Sequence, residues 1–296
     1  MRRVLLIASL VSVFCLGARL PAAPPAPVSA QDDLDTQVTL PRPARRVVTL
    51  APSSTECLFA IQAGDLVVGV DEYSDFPSAA RRLTHVGTFS NPDVERIFAL
   101  RPELVVVTFG NPKALIKRLR RRRVAVYVQN PHTVEGVFKN MLDLGTLTGR
   151  RAEAEARVKR QQTRLKQIQR RVAKLPPVTV AVLVSDQSPL RVAGGQSHIQ
   201  DVLRLAGGKN IAADLQQPYP TLDPARFVAL RPEAILLAGA SAKRLQRLGK
   251  RPGIRVTPAA RQKRIYSVTA DWLYRPGPRL VKAVEEIARL LHPKAF

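Results

Sequence analysis

The stretch RRAEAEARVKRQQTRLKQIQRRVAKL, residues 150–175, decides the fold. It consists of good helix formers without Gly or Pro, and Pro176 and Pro177 follow it, so it predicts one continuous helix over residues 149–175. At about 1.5 Å per residue, roughly 25 helical residues span about 38 Å. A helix of that length predicts a stiff connector that limits how far the regions on either side can move.

Short apolar, β-branched runs alternate with segments of helical period on both sides of this helix. The runs are residues 46–50, 67–70, 104–108 and 124–128 before it, and 178–184, 234–238 and 264–268 after it. Buried strands separated by helices predict parallel sheets with crossover connections. We therefore expect an α/β fold of two Rossmann-like lobes with parallel sheets, over residues 31–148 and 176–296, joined by the linking helix over 149–175.

The two lobes carry an internal repeat. Residues 93–107, DVERIFALRPELVVV, align without gaps with residues 223–237, DPARFVALRPEAILL. Asn91 and Asp223 each precede a proline, which predicts a helix cap followed by the helix start. A further helix start is predicted at Ser53 to Glu56, where S-S-T-E has the form of a capping box, and its free N–H groups also suit a ligand oxygen.

The first 30 residues have the features of a secretory signal peptide, with a basic start and an apolar run over residues 4–18. That run is shorter than the roughly 20 residues that cross a membrane. We expect cleavage before Gln31 and a periplasmic location. Phe14 precedes Cys15 at a position where a lipobox has a small residue, so a lipid anchor is not expected.

The chain is strongly basic, with a net charge of +24 that becomes +21 without its first 30 residues, which hold three Arg and no acidic residue. The cations are densest over residues 117–123 and 149–174, where no aromatic residue offers a stacking surface for bases. We interpret these runs as solvated helix faces and expect no specific nucleic acid partner. Cys57 remains as the single cysteine after cleavage, so no internal disulfide forms, and we expect it to be buried.

Aromatic residues make up only 5% of the chain, and several follow predicted strands. In open α/β sheets ligands bind beyond the carboxyl ends of the strands. Tyr73, Phe109 and Trp272 follow three of those strands, and Phe89 and Tyr219 lie in Gly- or Pro-containing loops. This pattern predicts a binding site for a large, flat ligand, to which Asp271 and Arg275 add hydrogen-bonding groups.

Catalysis finds little support in the sequence. His85, His132, His198 and His292 lack metal-ligand spacing, and no G-x-S-x-G, P-loop or G-x-G-x-x-G motif is present. We therefore expect a binding protein without catalytic residues, a bound metal or a resident cofactor. A secreted enzyme on a two-lobed scaffold stays an alternative, because a fold does not exclude chemistry.

The mature sequence resembles the cobalamin-binding periplasmic proteins of ABC importers, within the helical-backbone substrate-binding proteins. The resemblance is strongest in TLAPSSTECLFAIQAG, GVDEYSDFPSAA, NPDVERIFALRPELVV and VTADWLYRPGPRLV. It implies a monomer that captures cobalamin or a related corrinoid between its lobes and delivers it to the transmembrane subunits of an ABC importer. A haem or ferric-siderophore receptor of the same fold is the alternative.

The resemblance also implies residue roles. It places ligand contacts on Tyr73, Phe89, Phe109, Leu190, Tyr219, Asp271, Trp272 and Arg275. Phe89, Phe109 and Tyr219 stand where a better known member has Trp, which favours the corrinoid class over cobalamin itself. The family docks through one exposed glutamate on each lobe. Glu95 matches the first. Ala225 occupies the second position and Asp223 is the acidic residue beside it, so we expect docking through Glu95 and Asp223 that is asymmetric and dominated by Glu95.

Overall fold

The computed structural model describes residues 26–296, and its first element is an antiparallel hairpin of β1, Val28–Gln31, and β2, Gln37–Leu40. Ala30 and Val38 of the hairpin are buried against the core of the N-terminal lobe. Strand β1 crosses the expected cleavage position, and cleavage before Gln31 would remove three of its four residues. Residues 1–25, including Cys15, lie outside the described residues, and the signal peptide stays a prediction.

The N-terminal lobe is built on a five-stranded, fully parallel sheet, as predicted. Its strands, in the spatial order β5-β4-β3-β6-β7, are β3 (Val47–Thr49), β4 (Val67–Val70), β5 (Thr84–His85), β6 (Leu104–Thr108) and β7 (Ala125–Gln129). The helices of this lobe are α1 (Pro52–Ala60), α2 (Val94–Ala99), α3 (Lys113–Arg121) and α4 (Val134–Thr148).

The predicted linking helix is present as α5, Arg151–Val172. Gly149, with a φ of +70°, ends α4 in the left-handed conformation that glycine adopts without strain, and α5 starts two residues later. Its 22 residues extend for about 33 Å. None of the helices in residues 26–296 is long and apolar enough to cross a membrane.

The C-terminal lobe contains a mixed sheet rather than the parallel sheet that was predicted. Its strands are β8 (Val178–Ser185), β9 (Leu190–Val192), β10 (Gly208–Asn210), β11 (Thr221–Leu222), β12 (Ala234–Ala238) and β13 (Ile265–Val268). Strands β8, β10, β12 and β13 are parallel, whereas β9 runs antiparallel to β8 and to β11. Only four residues join β8 to β9, which is too short for a crossover helix.

Six helices complete the C-terminal lobe, and several of them surround its sheet near the linking helix. They are α6 (His198–Leu205), α7 (Pro224–Ala229), α8 (Ala242–Lys250), α9 (Pro258–Arg261), α10 (Ala270–Tyr274) and α11 (Leu280–Leu291). Helix α5 packs against α4, α6 and α11, and therefore contacts helices on both sides of the lobe boundary.

One hydrophobic core extends through both lobes. It includes Val106 of β6, Ile168 of α5 and Leu236 of β12, all at most 1% exposed. The opposite faces of the two sheets have separate cores, represented by Val105 in the N-terminal lobe and Ile235 in the C-terminal lobe. Because the shared core passes through α5, changing the angle between the lobes disturbs close packing, which supports the expectation of limited lobe motion.

The repeated helices α2 and α7 are capped in the same way. Asp93 accepts a hydrogen bond from the backbone N–H of Arg96 at 3.0 Å, and Asp223 accepts one from Arg226 at 2.9 Å. The cap predicted at Asp223 is therefore confirmed, whereas the cap predicted at Asn91 lies two residues too early. Both caps stand at the first position of the sequence repeat.

The capping box predicted at the start of α1 is wrong. Ala51 is the residue before the helix, Pro52 occupies its first position, and Ser53 makes no capping hydrogen bond with its side chain. A proline fits the first helical position because it has no N–H to satisfy. Because the helix begins two residues earlier than predicted, the Glu56 carboxylate takes no part in a cap and instead binds two arginines of the other lobe.

The two basic runs lie on exposed helix surfaces. Lys117 and Arg121 on α3 and Lys159, Lys166 and Arg170 on α5 are all exposed. This placement agrees with the interpretation of both runs as solvated helix faces.

Candidate ligand-binding site

A cavity of about 650 Å³ lies between the two lobes. On the N-terminal side it is formed by residues that follow the carboxyl ends of β3, β6 and β7 and by one loop, including Ser53, Phe89, Thr108, Phe109, Gln129 and His132. On the C-terminal side it is formed by the start of α6, the loop before β11 and the residues at the end of α10, including Gln196, His198, Tyr219, Tyr274 and Arg275. Its size is within the usual range for small-molecule sites, about 300–1,000 Å³.

The structure brings four of the eight predicted ligand contacts to the cavity wall: Phe89, Phe109, Tyr219 and Arg275. Phe109 is 53% exposed, so about half of its surface is free to meet a ligand. Tyr274 adds a fourth aromatic ring to the wall. The cavity is thus bordered by aromatic side chains from both lobes.

Asn111 and Gly110 fix the two phenylalanines of the N-terminal lobe. The Asn111 amide donates hydrogen bonds to the carbonyl oxygen of Phe89 at 2.7 Å and to that of Leu50 at 3.2 Å, and its side-chain oxygen accepts one from the Thr108 N–H at 2.8 Å. A Cβ at Gly110 would lie 2.6 Å from the tip of the Phe89 ring. Glycine at this position therefore lets the Phe89 ring lie against the turn that carries Phe109.

The wall of the C-terminal lobe depends on a pair of glycines. A Cβ at Gly194 would lie 2.1 Å from the carbonyl oxygen of Gln217, and one at Gly195 would lie 2.0 Å from that of Ala213. The loop that carries Tyr219 therefore lies directly on this glycine pair. Burial raises the pKa of the Tyr219 phenol, so it is protonated at neutral pH.

Two histidines on the cavity wall were not identified as site residues from the sequence. His198 is buried and donates from Nε2 to the carbonyl oxygen of Leu273 at 2.7 Å, and burial lowers its pKa and keeps it neutral. His132 is exposed, with Nδ1 at 2.9 Å from the carbonyl oxygen of Gln196 and Nε2 at 3.1 Å from Nδ2 of Asn130. The position of His132 just after β7 is a sequence signal that would have pointed to it.

Arg275 is held by three carboxylates. Its guanidinium lies 2.6 Å from Asp75, 3.2 Å from Asp271 and 3.3 Å from Glu56. The hydrogen bond from Arg275 lowers the pKa of Asp75 and keeps that carboxylate charged. The cation on the cavity wall is therefore already neutralised by acidic groups of both lobes.

Glu56 joins the lobes through a second arginine as well. Its carboxylate accepts hydrogen bonds from Nε of Arg279 at 2.8 Å and from Nη2 at 2.6 Å. The Glu56 side chain is 1% exposed and that of Arg279 10%. Burial raises the pKa of the Glu56 carboxyl, against the opposing effect of both guanidinium groups. The guanidinium of Arg279 also lies 4.3 Å from the centre of the Phe76 ring.

The other four predicted contacts do not line this cavity. Leu190 is 4% exposed and packs in the core of the C-terminal lobe, because β9 turns its side chain inward. Trp272 packs against the shared core, with the Lys282 ammonium 5.3 Å from its ring centre. Asp271 forms an ion pair with Arg275, which does line the cavity. Tyr73 is 57% exposed, in the loop that also carries Asp75.

The expected docking residues differ in their surroundings. The Glu95 side chain is 73% exposed, and its carboxylate lies 2.5 Å from the guanidinium of Arg118. Asp223 uses one oxygen to cap α7. The Glu95 carboxylate is therefore accessible to a partner protein. A cation of that partner would have to replace Arg118 in the ion pair.

The histidines, acidic residues and cysteine of the described chain were also compared for metal-binding groups. Within residues 26–296, no three or more His, Cys, Asp or Glu side chains form a group that could hold a metal ion. Cys57 is fully buried, as expected, and burial raises the pKa of its thiol to about 12, so the reactive thiolate is absent at neutral pH.

Comparison with known proteins identifies the family. The model of the family described as periplasmic binding protein matches residues 47–272. An uncharacterized ABC transporter substrate-binding lipoprotein, YvrC of Bacillus subtilis, is 30% identical over 278 residues, covering 91% of this chain and 87% of that protein. The periplasmic vitamin B12 binding protein BtuF of Vibrio cholerae has 27% identity and a TM-score of 0.74, over 86% of this chain and 98% of that one. A periplasmic heme binding protein from Pseudomonas aeruginosa has 26% identity and the same TM-score, over 86% and 94% of the two chains. The chain therefore belongs to the periplasmic binding protein family.

Proposed function

We propose that this protein captures cobalamin or a related corrinoid in the cavity between its lobes and delivers it to an ABC importer, without catalysing a reaction. The vitamin B12 binding protein of Vibrio cholerae supports this assignment through its fold and 27% identity. The aromatic rings on both sides of the cavity support it through their shape, since flat side chains suit the face of a large ring system.

The observation that carries the proposal is the charge of the cavity wall. Among the described residues that line it, Arg275 is the only Lys or Arg and no Asp or Glu is present. Because Asp75, Asp271 and Glu56 already engage Arg275, little positive charge remains for the ligand. The edge of a corrinoid carries mainly amide groups, which need hydrogen-bonding partners but no counter-ion. Asn130 and Gln196 on the wall offer such partners.

Haem is the second candidate, because the heme binding protein from Pseudomonas aeruginosa is 26% identical to this chain. Haem carries two carboxylates and a ferric siderophore usually carries several negative charges. Arg275 is already paired with carboxylates of the protein, so the negative groups of either ligand would be buried without a counter-ion. Burying an unpaired charge costs free energy of binding. The same cavity therefore favours the corrinoid over both anionic ligands.

The metal content of the protein purified from its native host tests this assignment. We expect cobalt in a ratio approaching one per chain, together with the absorption bands of a corrinoid. Iron with the absorption of haem, or iron with that of a siderophore, would keep the binding role and overturn the substrate.

Delivery to the importer is proposed to depend on Glu95. Its exposed carboxylate lies at the N-terminal end of α2, whereas the repeat places Ala225 at the corresponding position of α7. A docking surface with one exposed glutamate predicts that the N-terminal lobe contributes more to the contact than the C-terminal lobe.

A further inference from the structure

We propose that Nε2 of His132 is an axial ligand to the metal ion at the centre of the bound corrinoid. This inference rests on the proposed function, and it adds a specific requirement. Ligation, as distinct from binding, requires a corrinoid with one exchangeable axial position, occupied by water or left open.

The hydrogen bonds of His132 define which nitrogen is available. A carbonyl oxygen only accepts, so the 2.9 Å contact between Nδ1 and the carbonyl of Gln196 means that Nδ1 carries the proton. The lone pair of the neutral ring is then on Nε2. A histidine whose other nitrogen donates to a backbone carbonyl has the orientation and the tautomer of a metal ligand.

The partner of Nε2 is weak and replaceable. Nδ2 of Asn130 lies 3.1 Å away and donates to the lone pair in a surface-exposed hydrogen bond. The side chain of His132 is itself exposed and lines the cavity. A metal ion can therefore take the place of the Asn130 amide, and only a solvent-accessible hydrogen bond is lost.

The other candidate ligands on the wall are less suitable. His198 is buried, and its Nε2 proton is committed to the carbonyl of Leu273. Burial raises the pKa of both Tyr219 and Tyr274, which disfavours the phenolate that would bind a metal. The Tyr274 hydroxyl also donates to the carbonyl oxygen of Leu183 at 3.3 Å.

His132 also bridges the lobes, which links metal binding to their arrangement. The ring belongs to the segment after β7 in the N-terminal lobe, and Gln196 precedes α6 in the C-terminal lobe. Binding of the metal fixes the ring and strengthens its donor hydrogen bond, so it favours the arrangement in which the two lobes meet at this point.

The ligation step is a substitution and involves no change of oxidation state. The Nε2 lone pair forms a bond to cobalt, the bond between cobalt and one water molecule breaks, and the water leaves. The Nδ1 proton stays on the ring, in its hydrogen bond to Gln196.

Two cobinamides, which lack a nucleotide base of their own, test the inference. Aquocyanocobinamide has one exchangeable water, whereas dicyanocobinamide, kept in excess cyanide, has both axial positions blocked. We expect His132→Ala to weaken binding of the aquocyano form by about tenfold or more, as is typical when a metal ligand's environment is lost. Binding of the dicyano form should change by less than about twofold, because no ligation is lost there.

Electron paramagnetic resonance identifies the ligand atom. In the reduced Co(II) form, one axial ¹⁴N splits each cobalt line into a triplet, and ¹⁵N-labelled histidine in the protein should convert the triplet into a doublet. The signal should be lost in His132→Ala and kept in His85→Ala, a matched change of a histidine that does not line the cavity. Corrinoid binding without the triplet, or equal effects of His132→Ala on both cobinamides, would overturn the ligation alone. Failure of the wild-type protein to bind either cobinamide would overturn the corrinoid assignment together with it.

Discussion

Replacing Glu56 by Gln removes the buried negative charge that joins the two lobes. Its carboxylate accepts two hydrogen bonds from Arg279, at 2.6 and 2.8 Å, and lies 3.3 Å from Arg275. Without it, the nearest remaining carboxylate to Arg279 is that of Asp271, at 3.7 Å. Removing one partner of a buried ion pair costs about 3–5 kcal/mol, since the other charge stays desolvated. We expect that loss in the free energy of unfolding.

Urea unfolding followed by circular dichroism measures this loss. For a chain of this size, about 3–5 kcal/mol corresponds to a decrease in Tm of about 6–20 °C. Glu95→Gln is the matched control, because its ion pair with Arg118 is exposed and should contribute only about 0–1 kcal/mol. The double change Glu56→Leu with Arg279→Met should recover most of the stability, since no charge is left unpaired. A loss below about 1 kcal/mol for Glu56→Gln would refute the reasoning.

Four further outcomes follow from other parts of the molecule. Gly110→Ala should lower ligand affinity in calorimetric titrations, because the added Cβ displaces the Phe89 ring, and an unchanged affinity would contradict this. Burial lowers the pKa of His198, so the free energy of unfolding should fall as the pH drops below about 6.5, where only the unfolded chain binds the proton, and His198→Asn should remove that slope. Cys57, with its pKa raised to about 12, should react with a thiol reagent at about pH 8 only as fast as the chain unfolds, and rapid labelling of the folded protein would show that the thiol is accessible. Glu95→Ala should reduce uptake into cells without changing ligand affinity, whereas normal uptake at normal expression would exclude its role in docking.

Local sequence patterns were sufficient to predict most of the fold. The linking helix and seven of the strands were found because long helical stretches and β-branched runs reflect the local preferences of the chain. The short strands β5, β9, β10 and β11 were missed, since strands of two or three residues carry almost no periodic signal, and the hairpin of β1 and β2 was missed as well. The mixed sheet of the C-terminal lobe followed from a connection of four residues, and the length of that connection was visible only once β9 had been located.

Site residues that follow a strand could be predicted from the sequence. Those whose role depends on contacts between the lobes could not. Phe109 follows β6 and reaches the cavity as expected. The S-x-x-E pattern at Ser53 indicated a local cap, but the partners of Glu56 lie more than 200 residues away in the sequence. Trp272 was expected at the ligand because it follows a predicted strand and because of the family resemblance, whereas in the structure it packs against the shared core. Such orientations are set by tertiary packing rather than by local sequence.

Isothermal titration of the protein with cyanocobalamin, with haem in parallel, tests the central claim most directly. The proposed function predicts tight, one-to-one binding of cyanocobalamin that weakens in Phe109→Ala, on the cavity wall, and is retained in Trp272→Ala, away from it. Saturable binding of haem with no heat from cyanocobalamin would contradict the assignment of the cavity to a corrinoid.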